Sequence, residues 1–313
     1  MDSKVKIALL AMQRYSWEQG TAMQAFLEAG DMHIVFPMAC EAVYRGIADG
    51  RTAQMGDSQA VTDPCATGEA ILIAYQETQD ETLKVGLQKL VDWAVRTAPR
   101  SKKGIVYHLT NEPEFWADSL YMLPPFLAAV GEYEESLKQI RGYLEALMDP
   151  QTHLIRHRWD EEKQEFIDPA FWGSGNGWTL AGLARVIDLL PASYESEKEN
   201  LINIARQILQ SMLPYLRSDG LFYDILDDAE SFVETNCAQM VAYTVYRGVK
   251  SGWLSREYLE IADKMRAAAN EKIDVYGRVQ GACGAPGFDK SGVSPEANAF
   301  YILMETAAEK CTM

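Results

Sequence analysis

The sequence has no long hydrophobic run. The longest uncharged apolar stretch near its start is Ile7 to Met12, and nothing approaches the roughly 18 apolar residues that a membrane-spanning helix requires. That stretch is also too short for the core of a secretion signal. We therefore expect a soluble, cytoplasmic protein without a membrane partner.

The sequence also lacks closely spaced cysteines and has few basic residues relative to acidic ones. The five cysteines are odd in number and form no CxxC pair, which argues against a zinc knuckle and a disulfide framework. The chain has 29 Lys and Arg against 45 Asp and Glu, a net charge of −16. A field of that sign repels a phosphate backbone, so we expect reduced thiols and no nucleic-acid partner.

What is present indicates a packed helical protein. Its 7 Trp, 15 Tyr and 10 Phe exclude disorder as the main state. Apolar residues recur three and four positions apart, as in Leu201, Ile204 and Ile208, which is the helical period. The pattern predicts about twelve helices, at 3–13, 17–29, 36–49, 65–78, 81–97, 116–131, 133–148, 174–190, 194–216, 232–249, 255–270 and 295–308. Pro124 and Pro125 should kink or interrupt the sixth.

No Gly/Ser/Pro-rich linker divides the 313 residues, so we predict a single domain over 1–313. Paired helices of this length favour an all-α (α/α)6 toroid, in which six helical hairpins form an inner and an outer ring. An open solenoid is the alternative, but it would need a recurring pattern that is not found. Alternating residues at 104–108 and 154–159 predict small β-hairpins in the loops.

Polar and aromatic residues cluster at the start of four predicted helices, at 62–64, 115–118, 172–178 and 234–236. In a helical toroid such positions meet at one mouth, where a ligand would bind. Each carboxylate also has a structural interpretation. Asp63 could be an N-cap before Pro64, and Asp118 could serve the dipole of its helix.

The glycine-rich segment 173–177 lacks the strand and the Lys-Ser/Thr pair of a phosphate loop. Flanked by Trp172 and Trp178, it indicates a backbone close to a sugar, although packing of helices on small residues would also explain it. His108 and His157 lie in the two loop hairpins without a third ligand at a metal-binding spacing. We therefore expect neither a metal nor a cofactor.

Taken together, these motifs resemble the unsaturated rhamnogalacturonyl hydrolases of glycoside hydrolase family 105, which are related to the unsaturated glucuronyl hydrolases of family 88. The matching segments are 16–20, 63–68, 72–75, 116–122, 157–161, 172–178, 226–228, 234–235 and 281–284. The resemblance implies the (α/α)6 fold and hydration of the C4=C5 double bond in a terminal unsaturated uronic acid, the residue that lyases leave on pectin-derived oligosaccharides.

The resemblance also assigns roles to individual residues. Asp118 falls on the catalytic acid/base and Asp63 on a second essential carboxylate. The positions that contact substrate are Trp17, His108, His157, Trp172, Ser174 and Trp178. Many family members carry arginine where this chain has Ser174, and that arginine faces the substrate carboxylate; Arg156, Arg158, Lys102 or Lys103 could replace it. A different (α/α)6 sugar enzyme, such as a conventional glycosidase or an epimerase, and a non-catalytic carbohydrate-binding protein remain the alternatives.

Overall fold

The computed structural model describes residues 3–56 and 58–312. Within them the chain forms α1 (Ser3–Met12), α2 (Ser16–Glu28), α3 (Met32–Tyr44), α4 (Gly68–Thr78), α5 (Glu81–Asp92), α6 (Ser119–Met122), α7 (Pro124–Ala129), α8 (Tyr133–Leu147), α9 (Gly173–Leu189), α10 (Glu195–Met212), α11 (Asn236–Lys250), α12 (Tyr258–Asn270) and α13 (Pro295–Thr312). Short 3₁₀ turns cover Asp63–Thr67, Ala192–Tyr194 and Leu213–Tyr215, and a π-helical turn covers Trp93–Thr97. None of these helices is long and apolar enough to cross a membrane.

The strands are short: β1 (Glu114–Trp116), β2 (Arg158–Asp160), β3 (Glu165–Asp168), β4 (Phe222–Tyr223), β5 (Val233–Glu234), β6 (Gln280–Ala282) and β7 (Gly292–Val293). The first three form one antiparallel sheet in the order β1-β2-β3, and the others pair as β4-β5 and β6-β7. The predicted hairpins are therefore partly correct. The 154–159 segment contributes only its end to β2, and 104–108 makes a single bridge between Arg100 and Val106.

The helix predicted over 116–131 is interrupted, as the two prolines require. Helix α6 ends at Met122, and α7 begins at Pro124. Proline lacks the N–H that would continue the helical ladder, and its ring clashes with the preceding turn.

The helix predicted over 232–249 starts later than expected. Val233 and Glu234 pair with Tyr223 and Phe222 as strand β5, so α11 begins only at Asn236. The Glu234 side chain accepts a hydrogen bond from the Cys237 N–H at 2.6 Å. Tertiary strand pairing overrode the local helical pattern here.

The chain comprises two compact units. Unit 1 contains the described residues up to Gln13, Asp149–His157 and the described residues from Ala170 onward, so it holds α1 and α9–α13 with the β4-β5 and β6-β7 pairs. Unit 2 contains Arg14–Met148 and Arg158–Pro169, with α2–α8 and the three-stranded sheet. A single domain over 1–313 stays a prediction.

In unit 2, helix α2 packs directly on the 3₁₀ turn that contains Asp63. Gly20 makes this approach possible, because a Cβ built there would lie 2.6 Å from the backbone carbon of Ala66. Thr52 also holds this turn in place. Its hydroxyl lies 2.8 Å from the hydroxyl of Thr67 and 3.1 Å from the Pro64 carbonyl. The position of Asp63 therefore depends on close backbone packing.

Substituting Gly20→Ala should destabilise the protein. The added methyl group meets main-chain atoms of the turn, which cannot rotate away as a side chain could, so overpacking should lower the free energy of unfolding by about 1–3 kcal/mol. Urea denaturation followed by far-UV circular dichroism measures this change. An unchanged midpoint and slope would show that the turn can move away freely, contrary to the packing described.

Candidate active site

Asp63 is buried at the start of the 3₁₀ turn Asp63–Thr67, with only 4% of its surface exposed. It does not act as an N-cap, because Thr62 occupies that position. Its Oδ1 atom has no hydrogen-bond partner within residues 3–56 and 58–312. A buried carboxylate oxygen without a partner costs stability, so a capping role does not explain this residue.

Asp118 follows strand β1 and stands at the N-cap position of α6, where its side chain makes no capping hydrogen bond. Its Oδ1 atom is also buried and unpartnered among the described residues. Its side chain is 17% exposed, against 6% for Asp63. Asp118 is therefore the more accessible of the two carboxylates.

His108 lies between the two carboxylates. Its Nε2 is 3.9 Å from Asp63 Oδ1, and its Nδ1 is 3.8 Å from Asp118 Oδ1. Nδ1 also lies 3.1 Å from the Thr62 hydroxyl and 3.0 Å from the Ser119 hydroxyl. The two hydroxyls fix the orientation of the ring.

The surroundings of Asp63 raise the pKa of its carboxyl group. Burial raises the pKa of Asp63 to about 6; the neighbouring His108 opposes the shift, and Asp118 adds to it. Desolvation and a like charge both disfavour ionisation of a carboxyl group. The cluster can therefore hold or release a proton near neutral pH, as general acid–base catalysis requires.

Trp116 lies in the polar and aromatic cluster predicted at 115–118, but the sequence assigned it no role; in the structure it covers His108. Its ring stacks on His108 with centroids 4.2 Å apart and planes 10° from parallel. Trp116 also contacts Arg158, whose guanidinium carbon lies 4.4 Å from the Trp116 ring centroid. The signal available in the sequence was the position of Trp116, two residues before Asp118.

Trp17 forms a second aromatic surface in unit 2. It stacks on Tyr15 with centroids 4.5 Å apart and an interplanar angle of 2°. Glu18 fixes this end of α2 by accepting a hydrogen bond from the Tyr15 N–H at 2.9 Å. Tyr15 is 40% exposed, so the pair offers a flat apolar face of the kind that sugars bind.

In unit 1, His157 and Trp172 lie against each other with ring centroids 4.6 Å apart. The Trp172 indole N–H donates to Asp224 Oδ1 at 3.2 Å, and the Gly173 N–H donates to the Asp224 carbonyl at 2.7 Å. Asp224 therefore fixes Trp172 just before α9 begins. The structure brings these two candidates together within unit 1 and brings Asp63, His108 and Asp118 together within unit 2.

Ser174 and Trp178 are both buried in α9. Ser174 is 2% exposed, and its hydroxyl has no hydrogen-bond partner in the described chain. Trp178 is 4% exposed and packs edge-on against Phe300 of α13, with centroids 5.1 Å apart. A Cβ at Gly177 would lie 2.7 Å from the sulfur of Met240, so helix packing accounts for that glycine. Substrate contact by Ser174 and Trp178 stays a prediction.

Three of the cations considered as partners for a substrate carboxylate are already paired. Arg156 contacts Asp149 at 2.7 Å, Arg158 contacts Glu114 at 2.8 Å, and Lys103 contacts Glu145 at 2.6 Å. An arginine held by a carboxylate on the protein is a weaker partner for a carboxylate on a ligand.

Spacing along the chain indicates no metal site, but folding brings together residues that are remote in sequence. Asp63, His108 and Asp118 each offer a ligand atom, and these atoms lie within 4.8 Å of one another; they are the one such group found in the described residues. Imidazole and carboxylate ligands suit zinc and other divalent transition metals. The expectation that no metal takes part stays a prediction.

Comparison with known proteins places the chain among helical glycoside hydrolases. The sequence model of Glycosyl Hydrolase Family 88 matches residues 2–309, and the chain belongs to this family. It is 27% identical over 225 residues to the unsaturated rhamnogalacturonyl hydrolase YesR of Bacillus subtilis, a match that covers 68% of this chain and 63% of that enzyme. The match thus spans less than two thirds of that relative.

Solved structures show the fold. A possible member of the GH105 family from Salmonella enterica serovar Paratyphi A matches with a TM-score of 0.82 and 21% identity, over 93% of this chain and 82% of that one. The family 105 glycoside hydrolase of C. acetobutylicum matches with a TM-score of 0.83 and 19% identity, over 98% and 99% of the two chains. The predicted (α/α)6 fold class and the predicted family relationship are confirmed.

The raised pKa of Asp63 predicts a pH-dependent cost in stability. The pKa of an aspartate in the unfolded chain is ordinarily near 3.8, and that of Asp63 in the folded protein is about 6. Asp63 therefore lowers the free energy of unfolding progressively as pH rises from about 4 to about 6, and this loss stays constant at higher pH. Asp63→Asn removes the charge, so it should stabilise the protein at pH 8 by about 3 kcal/mol, with the gain vanishing near pH 4.

Thermal melts of Asp63→Asn and wild type at pH 4 and pH 8 measure this difference. Asp92→Asn is the control, since that carboxylate is 58% exposed and pairs with Arg96 on the surface. If the melting temperatures of Asp63→Asn and wild type differ by the same amount at pH 4 and pH 8, the pKa of Asp63 is not raised by folding.

Proposed function

We propose that this chain hydrolyses oligosaccharides that end in a 4,5-unsaturated uronic acid, by hydration of the C4=C5 double bond. The observation that carries the proposal is a pair of carboxylates, the buried Asp63 and the half-buried Asp118, on either side of His108 in a Family 88 chain. Each has an Oδ1 atom with no hydrogen-bond partner among the described residues. The relative YesR, named as an unsaturated rhamnogalacturonyl hydrolase, supports this substrate class.

Asp118 is the proposed acid and base. Its greater exposure lets it reach the substrate, whereas Asp63 is more deeply buried. In its protonated form Asp118 donates a proton to C4, and positive charge develops at C5 beside the ring oxygen. The resulting carboxylate then accepts a proton from the water that adds to C5, which restores the acid. One carboxyl group completes both transfers without a covalent intermediate.

The product of this addition is a hemiketal at C5. It opens by breaking the bond between C5 and the ring oxygen, and the open-chain sugar then releases the aglycone. These later steps need only proton transfers.

Asp63 and His108 support the reaction from inside the cluster. The pKa of Asp63, raised to about 6 by burial, allows this group to remain partly protonated near neutral pH and so to limit the negative charge beside Asp118. His108 separates the two carboxylates, and the Thr62 and Ser119 hydroxyls keep its ring in place. We propose His108 as a substrate-contacting residue as well.

The aromatic surfaces suit the sugar rings. Trp17, with Tyr15 stacked behind it, and Trp172, with His157 against it, are proposed as platforms in their respective units. Ser174 is proposed to face the substrate carboxylate. Its hydroxyl, which has no partner within the described residues, and the first N–H groups of α9 are the proposed hydrogen-bond donors. A neutral serine hydroxyl would bind the substrate carboxylate more weakly than the two charge-assisted hydrogen bonds of an arginine would.

A conventional retaining glycosidase is the second candidate, because such enzymes use two carboxyl groups about 5–5.5 Å apart. The potential ligand atoms of Asp63 and Asp118 lie within 4.8 Å of each other, which is close to that separation. The two reactions are distinguished by substrate. Only hydration removes the ultraviolet absorbance of the unsaturated bond, and only a conventional glycosidase cleaves the saturated glycoside.

Replacing Asp118→Asn should abolish turnover of unsaturated disaccharides and leave the fold intact. The amide can neither protonate C4 nor accept a proton from water, so kcat should fall by about 10²–10⁴-fold. The assay follows the loss of absorbance of the double bond, with Asp92→Asn as the matched carboxylate control. Retention of a tenth of the wild-type kcat would transfer the role to Asp63.

Removal of divalent metals should leave this activity unchanged, because the proposed steps use protons and no Lewis acid. Prolonged dialysis against EDTA, followed by the same absorbance assay, tests this expectation. If activity disappears and returns when Zn²⁺, Mg²⁺ or Ca²⁺ is added, then the trio Asp63, His108 and Asp118 holds a required metal and the mechanism above is wrong.

A further inference from the structure

The aromatic stack on His108 continues into an ion pair that the reaction steps above do not use. Arg158 covers one face of Trp116, with 4.4 Å between its guanidinium carbon and the ring centroid. Trp116 in turn stacks on His108 at 4.2 Å. The order from outside inward is therefore Arg158, Trp116 and His108, and His108 reaches Asp63 and Asp118.

Glu114 accepts hydrogen bonds from all three residues of the stack. Its Oε2 atom accepts the Trp116 indole N–H at 2.6 Å, and it also accepts Arg158 N–H groups from Nη2 at 2.8 Å and Nε at 3.2 Å. Its main-chain carbonyl accepts the His108 N–H at 2.8 Å. The Glu114 side chain is only 7% exposed, so these charge-assisted bonds form in a poorly solvated place where they are strong.

The sheet explains why these residues meet. Glu114 and Trp116 are two residues apart on β1, so their side chains project from the same face. Arg158 on β2 is the cross-strand partner of Trp116. On the opposite face, Phe115 packs edge-on against Tyr143, which fixes β1 on α8. The arrangement is thus set by strand register as well as by side-chain contacts.

We propose that Glu114 and Arg158 are positioning residues, which hold Trp116 against His108 and thereby keep the imidazole between the two carboxylates. This inference rests on the proposed function for its consequence in catalysis. Arg158 is engaged with Glu114 and with the Trp116 ring, so its part is to hold the indole in place. Holding a catalytic cluster to within a fraction of an ångström is what such supporting contacts contribute.

The direct test is Glu114→Gln. The neutral amide cannot replace a carboxylate oxygen that accepts three N–H groups, so Trp116 should lose its fixed orientation. We expect kcat on an unsaturated disaccharide to fall about ten-fold or more and KM to change less, because the loss concerns the geometry of the acid–base cluster more than the single substrate contact of His108. Arg158→Lys, at a residue whose side chain is 28% exposed, should give a smaller loss in the same direction and provides a second variant if Glu114→Gln folds poorly.

The same sheet offers a matched control. Trp159 donates its indole N–H to Glu161 Oε2 at 3.1 Å, and it lies across from Phe115, on the face opposite to Arg158. Glu161→Gln therefore replaces a carboxylate that accepts an indole N–H by a neutral amide, as Glu114→Gln does, without touching the stack on His108. This variant should keep the wild-type kcat.

A spectroscopic measurement separates positioning from general destabilisation. His108 faces an indole ring, so its ring protons should resonate upfield in the proton NMR spectrum. With four histidines in the chain, the signal can be assigned by its absence in His108→Gln. It should move toward the ordinary histidine position in Glu114→Gln and Arg158→Lys, and stay in place in Glu161→Gln.

The possible results are separable. Loss of kcat with an unmoved His108 signal would overturn the positioning role, as would a moved signal with an unchanged kcat, or a KM increase that accounts for the whole loss. If wild-type protein turns over no unsaturated disaccharide, the proposed function fails. The NMR comparison still decides whether Glu114 and Arg158 hold Trp116 on His108.

Discussion

Unit 2 holds a buried carboxyl group, Asp63, and a half-buried one, Asp118, beside the imidazole of His108. Removing carboxylates from water and placing them near each other opposes ionisation, and the pKa of Asp63 is raised to about 6 as a result. Such an arrangement persists only if the surrounding chain cannot relax. Two contacts of the turn Asp63–Thr67 provide that rigidity: the close packing of Gly20 on it and the hydrogen bond between the Thr52 hydroxyl and the Pro64 carbonyl.

The polar contacts of the cluster are distributed unevenly. The Nδ1 atom of His108 lies within hydrogen-bond distance of two hydroxyls, whereas the Oδ1 atoms of Asp63 and Asp118 have no hydrogen-bond partner in the chain as described. Unsatisfied buried oxygens reduce stability, so their presence at the proposed reactive atoms fits a site that exchanges stability for function. In unit 1, by contrast, the buried Glu234 carboxylate accepts N–H groups of Cys237 and Cys283, and it thereby links the residue after β6 to the first turn of α11.

Much of the fold was predictable because its signals are local. Helical periodicity predicted the helices, and the missing N–H of Pro124 predicted the break before α7. The prediction was wrong at 232–235, where pairing between β4 and β5 replaces helix, because the partner strand lies elsewhere in the sequence. Asp63, His108 and Asp118 were each identified as candidates from loop position and family resemblance, and folding brings all three together.

The sequence by itself determined the helical class, the family, and the residue types available for acid–base chemistry, since periodicity, proline and motif order are written in the linear chain. Only the tertiary structure decided how those residues interact. Burial sets the pKa of Asp63, strand register places Arg158 over Trp116, and folding engages Arg158 with Glu114. Desolvation and cross-strand contact depend on neighbours that are remote in sequence, and no local pattern records them.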